Sequence, residues 1–154
     1  MSKKCWLIIV VLLLVILGGA YKFLIQGSTT ESQDGRLAIQ LTAGERNLVL
    51  SEMRSFLASV QQITQGLAEN DMARVAEYAK KGGKEAQGEV PGTLMGKLPM
   101  EFKKLGFDTH MKFDQLALDA SAMGDSGQVL EQLSTLMQNC IACHASYRLE
   151  VSEK

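Results

Sequence analysis

The sequence predicts an all-α fold, an antiparallel four-helix bundle preceded by a single N-terminal transmembrane helix. Three observations support this prediction. An apolar run opens the chain, four stretches between residues 42 and 149 repeat apolar residues at helical spacing, and no strand alternation of useful length stands out. Only 6% of the residues are aromatic and two are prolines, whereas strands favour aromatic and β-branched side chains.

Residues 1–25 are predicted to form a membrane anchor. Lys3 and Lys4 precede an apolar run that continues, with one interruption, to Ile25. About 21 helical residues cover the roughly 30 Å hydrocarbon core, and the positive-inside rule keeps both lysines in the cytoplasm. A cleaved signal peptide is the alternative, since Gly18-Gly19-Ala20 offers small residues at a cleavage site, but the run is long for one. We therefore expect a single-pass protein of the cell inner membrane with its domain on the periplasmic side.

Residues 26–41 are rich in Gly, Ser, Thr, Gln and charged residues, and we expect them to form a flexible linker. Residues 42–154 then form the bundle domain. The formal net charge of the chain is -1, which argues against a nucleic-acid partner because such a partner needs a basic patch.

The first two bundle helices have clear start signals. Thr42 and Glu45 have the spacing of a capping box, and Asn70 or Asp71 is a good N-cap for the second helix. Lys80 to Gly83 forms a plausible stop. The inward stripe of the first helix is predicted to comprise Leu50, Met53, Leu57, Val60 and Leu67.

Residues 82–99 look irregular, and the third helix is predicted to begin near Pro99 or after Gly106 and to end near Gly124. Asp125 or Ser126 caps the fourth helix. Its inward stripe is predicted to run through Val129, Leu133, Leu136, Cys140, Cys143, His144 and Tyr147.

The motif Cys140-Ile141-Ala142-Cys143-His144 is the attachment signature of c-type haem. Each thiol can form a thioether with a haem vinyl group, and the histidine can ligate the iron. A thioredoxin-like motif would need a βαβ context, which the sequence does not predict. A structural zinc site would need four ligands, and outside the motif only Cys5 and His110 could contribute sulfur or nitrogen. The motif therefore predicts one covalently attached haem c.

The chain resembles the class II c-type cytochromes, the family of cytochrome c′ and its low-spin relatives. The haem motif lies in the last helix, Tyr147-Arg148 follows it as an aromatic-basic pair, and residues 46–53 resemble the family's opening helix. The Leu98-Pro99 turn before the third helix also fits. The resemblance covers residues 42–149 and implies a haem inside a four-helix bundle, with Cys140 and Cys143 as thioether residues and His144 as the proximal ligand.

The resemblance leaves the sixth haem ligand open between two residues of the first helix. Met53 would give a six-coordinate, low-spin electron carrier, because methionine sulfur is a good haem ligand. Leu50, one turn earlier, would instead leave an open site for nitric oxide or carbon monoxide. Arg148 either pairs with a haem propionate or stays solvated, and His110 is expected near the start of the third helix as a surface or second-shell group.

We therefore expect the protein to be a membrane-tethered mono-haem cytochrome that passes electrons between periplasmic or membrane redox partners. The alternatives are a five-coordinate gas-binding protein and a fixed haem subunit of a larger respiratory or photosynthetic membrane complex. No nucleophile–base pair stands out, so an enzyme is not expected. The sequence leaves open whether the domain forms a homodimer.

Overall fold

The computed structural model describes residues 3–86, 88, 90–122 and 124–152, and the chain is mostly helical within these ranges. In chain order the elements are α1 Lys3–Ala20, a π-helical segment Tyr21–Gln26, β1 Thr29–Glu31, β2 Leu37–Leu41, α2 Ala43–Glu69, α3 Met72–Lys80, a 3₁₀ turn Lys84–Ala86, α4 Gly92–Lys97, α5 Met100–Ala122, α6 Ser126–Ser146 and β3 Tyr147–Val151.

The N-terminal helix is long and apolar enough to cross a membrane. α1 and the π-helical segment run together over Lys3–Gln26, 24 residues, and the most apolar window has a mean hydropathy of 2.7 with none of it buried. A signal sequence near the N-terminus passes the same test of length and apolarity, so this helix fits either a retained anchor or a signal sequence.

The predicted helix starts at Thr42 and Asp71 are confirmed. The Thr42 hydroxyl accepts a hydrogen bond from the Glu45 backbone N–H at 3.2 Å, and the Glu45 carboxylate accepts from the Thr42 N–H at 2.8 Å. Asp71 accepts from the Arg74 N–H at 3.0 Å, so α3 is capped in the same way. α2 ends at Asn70, whose φ of 56° places it in the left-handed conformation that often terminates helices.

Helices α2, α3, α5 and α6 surround the larger of two apolar clusters. Phe56 of α2 stacks on Phe113 of α5 with ring centroids 5.4 Å apart. The buried members are Ile63, Val75, Ala79, Phe113, Leu116, Ala120, Val129, Leu133 and Leu136.

One residue of the predicted stripe on α2 faces solvent instead of an apolar cluster or the cavity described below. Leu57 is 70% exposed, whereas Val60 and Leu67 pack against the core with Phe56 and Ile63. At 3.6 residues per turn, Leu57 lies on the flank of the helix and not on its buried face. The expectation that Leu57 lies in the core was therefore wrong.

The segment predicted to be a flexible linker folds into a sheet instead. β1 pairs antiparallel with β2, and β2 pairs in parallel with β3, with Leu37 opposite Tyr147. Ala38, Ile39 and Leu41 are completely buried. The strands were missed because β2 is only five residues long and buries the neighbours Ala38 and Ile39 together, so the segment lacks the alternation of apolar and polar residues that marks a strand.

The sheet builds the second apolar cluster together with the segment before α5. That segment was expected to be irregular, but it contains α4, and the Lys97 ammonium pairs with the Glu45 carboxylate at 2.6 Å. The buried members of the cluster are Ile39, Leu41, Val49, Leu94, Leu98 and Phe102. Met53, Cys143 and Tyr147 pack against it, so this cluster brings the start of α2 to the end of α6.

Candidate functional site

The last two turns of α6 carry the cysteine–histidine motif. Cys140 and His144 are four residues apart and Cys143 is three from Cys140, so one region of the helix surface presents all three. The helix ends at Ser146 and the chain enters β3 at once. Pairing of β3 with β2 therefore fixes the end of the helix that carries the motif.

A cavity of about 200 Å³ lies at this end of α6. Its lining comprises Arg36, Arg46, Leu50, Met53, Phe102, Cys143, His144, Tyr147, Arg148 and Leu149. Five of the six predicted site residues are thus brought together, although they come from opposite ends of the domain sequence. Cys140 is the exception, since it does not line this cavity.

The two motif thiols are half-buried and protonated at neutral pH. Burial raises the pKa of Cys140, and burial together with the nearby Cys140 raises the pKa of Cys143 to about 11. Catalytic and redox-active cysteines have the opposite property, a pKa lowered to about 3.5–7.5. The electrostatics of this pair therefore do not fit a thioredoxin-like function.

His144 is exposed, and its imidazole has no hydrogen-bond partner among the side chains and backbone groups of the described ranges. Its backbone carbonyl instead accepts a hydrogen bond from the Arg36 guanidinium at 3.4 Å, and the Tyr147 carbonyl accepts from the same group at 3.5 Å. A cation at a helix C-terminus is favourable because the last carbonyls carry partial negative charge. Arg36 therefore links the β1–β2 turn to the end of α6 and leaves the His144 ring available.

Three guanidinium groups line the cavity, from Arg36, Arg46 and Arg148, and no carboxylate does. Asp34 pairs with Arg36 at 2.6 Å and with Arg148 at 3.4 Å, and Glu150 pairs with Arg148 at 3.1 Å. Hydrogen bonds from Arg36 and Ser32 hold the pKa of Asp34 well below its usual range, so it stays charged. The balance of charge at the cavity is positive, which suits a ligand with carboxylate groups.

The apolar side of the cavity comes from two α-helices and the sheet. Leu50 and Met53 project from α2, Phe102 from the first turn of α5, and Tyr147 and Leu149 from β3. The Phe102 and Tyr147 rings meet edge to face with centroids 5.4 Å apart. Burial raises the pKa of Tyr147, so its phenol is neutral.

The backbone of α6 beside Cys140 is held by a polar cluster. The buried Asn139 amide donates to Asp108 at 2.7 Å and to Thr109 at 3.2 Å, and it accepts from Lys112 at 2.9 Å. All three partners lie on α5. These hydrogen bonds therefore fix the rotation of α6 about its own axis and its position along α5.

His110 differs from its expected position. It was predicted to be a surface or second-shell group near the start of the third helix, but it lies in the middle of α5 and is only 3% exposed. Its Nδ1 lies 2.8 Å from the Gly82 carbonyl and its Nε2 lies 3.2 Å from the Glu52 carboxylate. His110 also packs against Phe56 of α2, whose ring meets the imidazole edge to face with ring centroids 5.0 Å apart.

Sequence reasoning missed Arg36, Phe102 and Leu149 as cavity residues. Arg36 lies in the segment that its composition marks as a linker, and Leu149 lies in a strand that the helical spacing concealed. Phe102 carries no local sign of a site, because its place at the cavity depends on how α5 packs against the sheet. No sequence signal points to Asn139 either.

The residues of the cavity fit a c-type haem on three counts. The Cys143 thiol is unpaired and protonated, the His144 imidazole is available, and an apolar wall faces three guanidinium groups, whereas the Cys140 thiol does not line the cavity. The volume is below the roughly 300–1,000 Å³ of sites that enclose drug-sized ligands, so a porphyrin here would keep an edge in solvent.

Within the described ranges, no group of three or more His, Cys, Asp or Glu side chains is arranged to hold a metal ion by itself. The four-ligand arrangement of a structural zinc site is therefore not found there. Comparison with known proteins gives no further guide to the site, since no protein-family model, no curated protein and no solved structure matches this chain.

Proposed function

We propose that the chain is a membrane-tethered c-type cytochrome that carries electrons between redox partners at the periplasmic face of the inner membrane. The observation that supports this most directly is the cavity, in which Met53 and Leu50 of α2 meet Cys143 and His144 of α6. Nothing local in the sequence requires these residues to meet, yet a haem attached to this motif would need a side chain of another helix, such as Met53 or Leu50, on the side opposite His144.

Haem iron would supply one-electron redox chemistry at this site. Cys140 and Cys143 would tether the group through thioethers, and His144 would be the axial ligand from α6. Cys143 is half-buried against the second apolar cluster, so the attached side would lie partly in a low-dielectric environment. Arg36, Arg46 and Arg148 provide hydrogen-bond donors for propionate carboxylates. In this proposal the group would lie at one end of the bundle of α2, α3, α5 and α6, between α2, the first turn of α5, the end of α6 and the sheet.

The opposite axial position decides between the two candidate functions. Met53 lines the cavity and packs on the cluster that Cys143 also packs against, which supports its thioether as the second axial ligand. Leu50 lines the same cavity one turn earlier. If Leu50 covers the axial position, the protein binds nitric oxide or carbon monoxide, and we keep this as the second candidate.

Covalent attachment is tested first, by producing the full chain in cells that attach c-type haem. We expect haem-dependent peroxidase staining on a denaturing gel to be retained in Cys5→Ala and lost in the Cys140→Ala, Cys143→Ala double variant. Cys5 is the matched control because it is the only other cysteine in the sequence. Equal staining of both variants, or no staining of the unmodified chain, would contradict haem attachment.

The axial ligand is tested by optical spectra of Met53→Ala and Met95→Ala. Met95 packs on the same apolar cluster but does not line the cavity, so it controls for loss of packing. An electron carrier with Met53 on the iron gives a low-spin spectrum that only Met53→Ala converts to high spin. Rapid carbon monoxide binding by the unmodified reduced protein would instead establish the gas-binding alternative.

A further inference from the structure

The N-terminal apolar helix enters the globular part without a free connecting segment. The Gly27 N–H donates to the Lys22 carbonyl at 3.0 Å, and the Ser28 N–H donates to the Lys97 carbonyl at 2.7 Å. The Ser28 carbonyl then accepts from the Gln40 N–H at 2.8 Å, which connects it to β2. The π-helical segment also contacts α4 and α5. Backbone hydrogen bonds therefore hold both Gly27 and Ser28, the residues that connect the apolar helix to the sheet.

Gly27 is the residue on which this junction depends. It is buried, with φ at 66°, a region that L side chains rarely adopt. A Cβ at this position would lie 2.4 Å from the Lys97 carbonyl oxygen and 2.7 Å from the Pro99 nitrogen. Both are backbone atoms of the connection between α4 and α5, so they cannot rotate away as a side chain would. The chain thus passes in direct contact with that connection.

The length of the helix brings this junction to the membrane surface. Residues 3–26 span about 36 Å at 1.5 Å per residue, against a hydrocarbon core of roughly 30 Å. The last turns therefore reach the headgroup level. Tyr21 and Phe23 are 61% and 66% exposed there, and Leu24 and Ile25 are also exposed. These side chains lie directly beside the globular part, and a lipid surface is the environment that would cover them.

We propose that residues 21–28 act as a rigid junction that holds the globular part against the lipid surface in one orientation. The cavity then lies close to that surface. Phe102 lines the cavity from the first turn of α5, and it is only three residues after Pro99, which adjoins Gly27. Redox partners would then reach the cavity by lateral movement in or along the membrane, without any swinging of the domain. The inference depends on retention of the apolar helix and not on the identity of the ligand in the cavity.

Orientation is measured on the full chain in aligned phospholipid bilayers, by polarised infrared dichroism of the amide I band. If the globular part is held in one orientation, helices α2, α5 and α6 contribute to the measured dichroism together with α1. Inserting a flexible Gly-Ser segment of about six residues between Gln26 and Gly27 should reduce this signal to that of α1 alone. The same insertion after Gly124, in the turn between α5 and α6, is the control and should leave the orientation of α2 unchanged.

The junction itself is measured by amide hydrogen exchange of the full chain in the same bilayers. We expect the Ser28 and Gln40 amides to exchange as slowly as those of α5, and Gly27→Val to accelerate them about ten-fold or more. Gly44→Ala is the control, because a Cβ there meets nothing within 4 Å. Three results would each overturn the proposal. Both amides could exchange fast in the unmodified chain, the dichroism could stay unchanged after insertion between Gln26 and Gly27, or the mature chain could be shortened near Ala20.

Discussion

His110 is a buried histidine whose two ring nitrogens both face acceptors. The Gly82 carbonyl and the Glu52 carboxylate can both accept, and only the protonated imidazole donates from both nitrogens. Burial by itself lowers the pKa of His110, but the hydrogen bonds that the imidazole donates to Glu52 and Gly82 outweigh it, so the pKa is raised above its ordinary value. Protonated His110 therefore joins α5 to α2 and to the turn after α3.

This arrangement predicts a pH-dependent contribution to stability. Because the folded-state pKa of His110 exceeds the unfolded value of about 6.5, the stabilisation is complete below about pH 6.5 and is lost as the pH rises through the folded-state pKa. Replacing Glu52 by Gln should lower the pKa of His110 and cost about 1 kcal/mol at about pH 5.5, with a smaller loss at about pH 8.5. NMR titration and chemical denaturation at both pH values measure the two effects.

The control for this prediction is Glu131→Gln, which removes an exposed carboxylate from α6 far from His110 in sequence. It should leave the pKa of His110 unchanged. If Glu52→Gln also leaves that pKa unchanged, Glu52 does not stabilise the protonated imidazole.

At the scale of elements, the three-stranded sheet is the largest difference between expectation and structure. Its central strand buries Ile39 completely, while Leu37 of the same strand is 40% exposed. Ile39 and Leu37 are therefore a matched pair, one buried and one partly exposed, for testing whether residues 26–41 are folded.

We expect Ile39→Ala to destabilise the fold by about 2–4 kcal/mol, because it removes a buried side chain and leaves a cavity. Leu37→Ala should cost less than about 1 kcal/mol, because solvent already reaches that side chain. Chemical denaturation followed by far-ultraviolet circular dichroism gives both values. Equal and small effects would mean that residues 26–41 behave as the flexible linker that their composition indicates.

At the scale of the whole molecule, the N-terminal and C-terminal segments of the globular part stabilise each other. β2 lies between β1 and β3, and Leu37 to Leu41 pairs with Tyr147 to Val151 over more than 100 intervening residues. The Ser152 N–H also donates to the Leu41 carbonyl at 2.9 Å. The cavity lies where these segments meet α2 and α6, so its shape depends on both segments together.

Ending the chain at Tyr147 should therefore loosen a region far away in sequence. Removal of residues 148–154 takes away the parallel partner of β2 and the packing of Leu149. We expect backbone amides of residues 29–41 to exchange with solvent at least about ten-fold faster, measured by mass spectrometry.

The comparison for this truncation is Leu130→Ala, which shortens an exposed side chain of α6 and should leave the exchange of residues 29–41 unchanged. If the truncated chain protects these residues as well as the full chain does, the sheet does not depend on its third strand.

The sequence by itself determined the features that local signals encode. The apolar helix follows from a long apolar run, the starts of α2 and α3 follow from side chains that cap their own first turn, and the cysteine–histidine motif follows from a fixed spacing on one helix. Each signal acts within a few residues, so it can be recognised without knowing how the rest of the chain folds.

Only the tertiary structure decided which residues meet. Leu50 and Met53 lie beside Cys143 and His144 because α2 and α6 both pack on the cluster built around the sheet. Arg36 reaches the end of α6 because β2 pairs with β3, while Leu57 is left outside the core and His110 inside it. These outcomes depend on contacts between residues far apart in the chain, and no short-range pattern of residue types encodes such contacts.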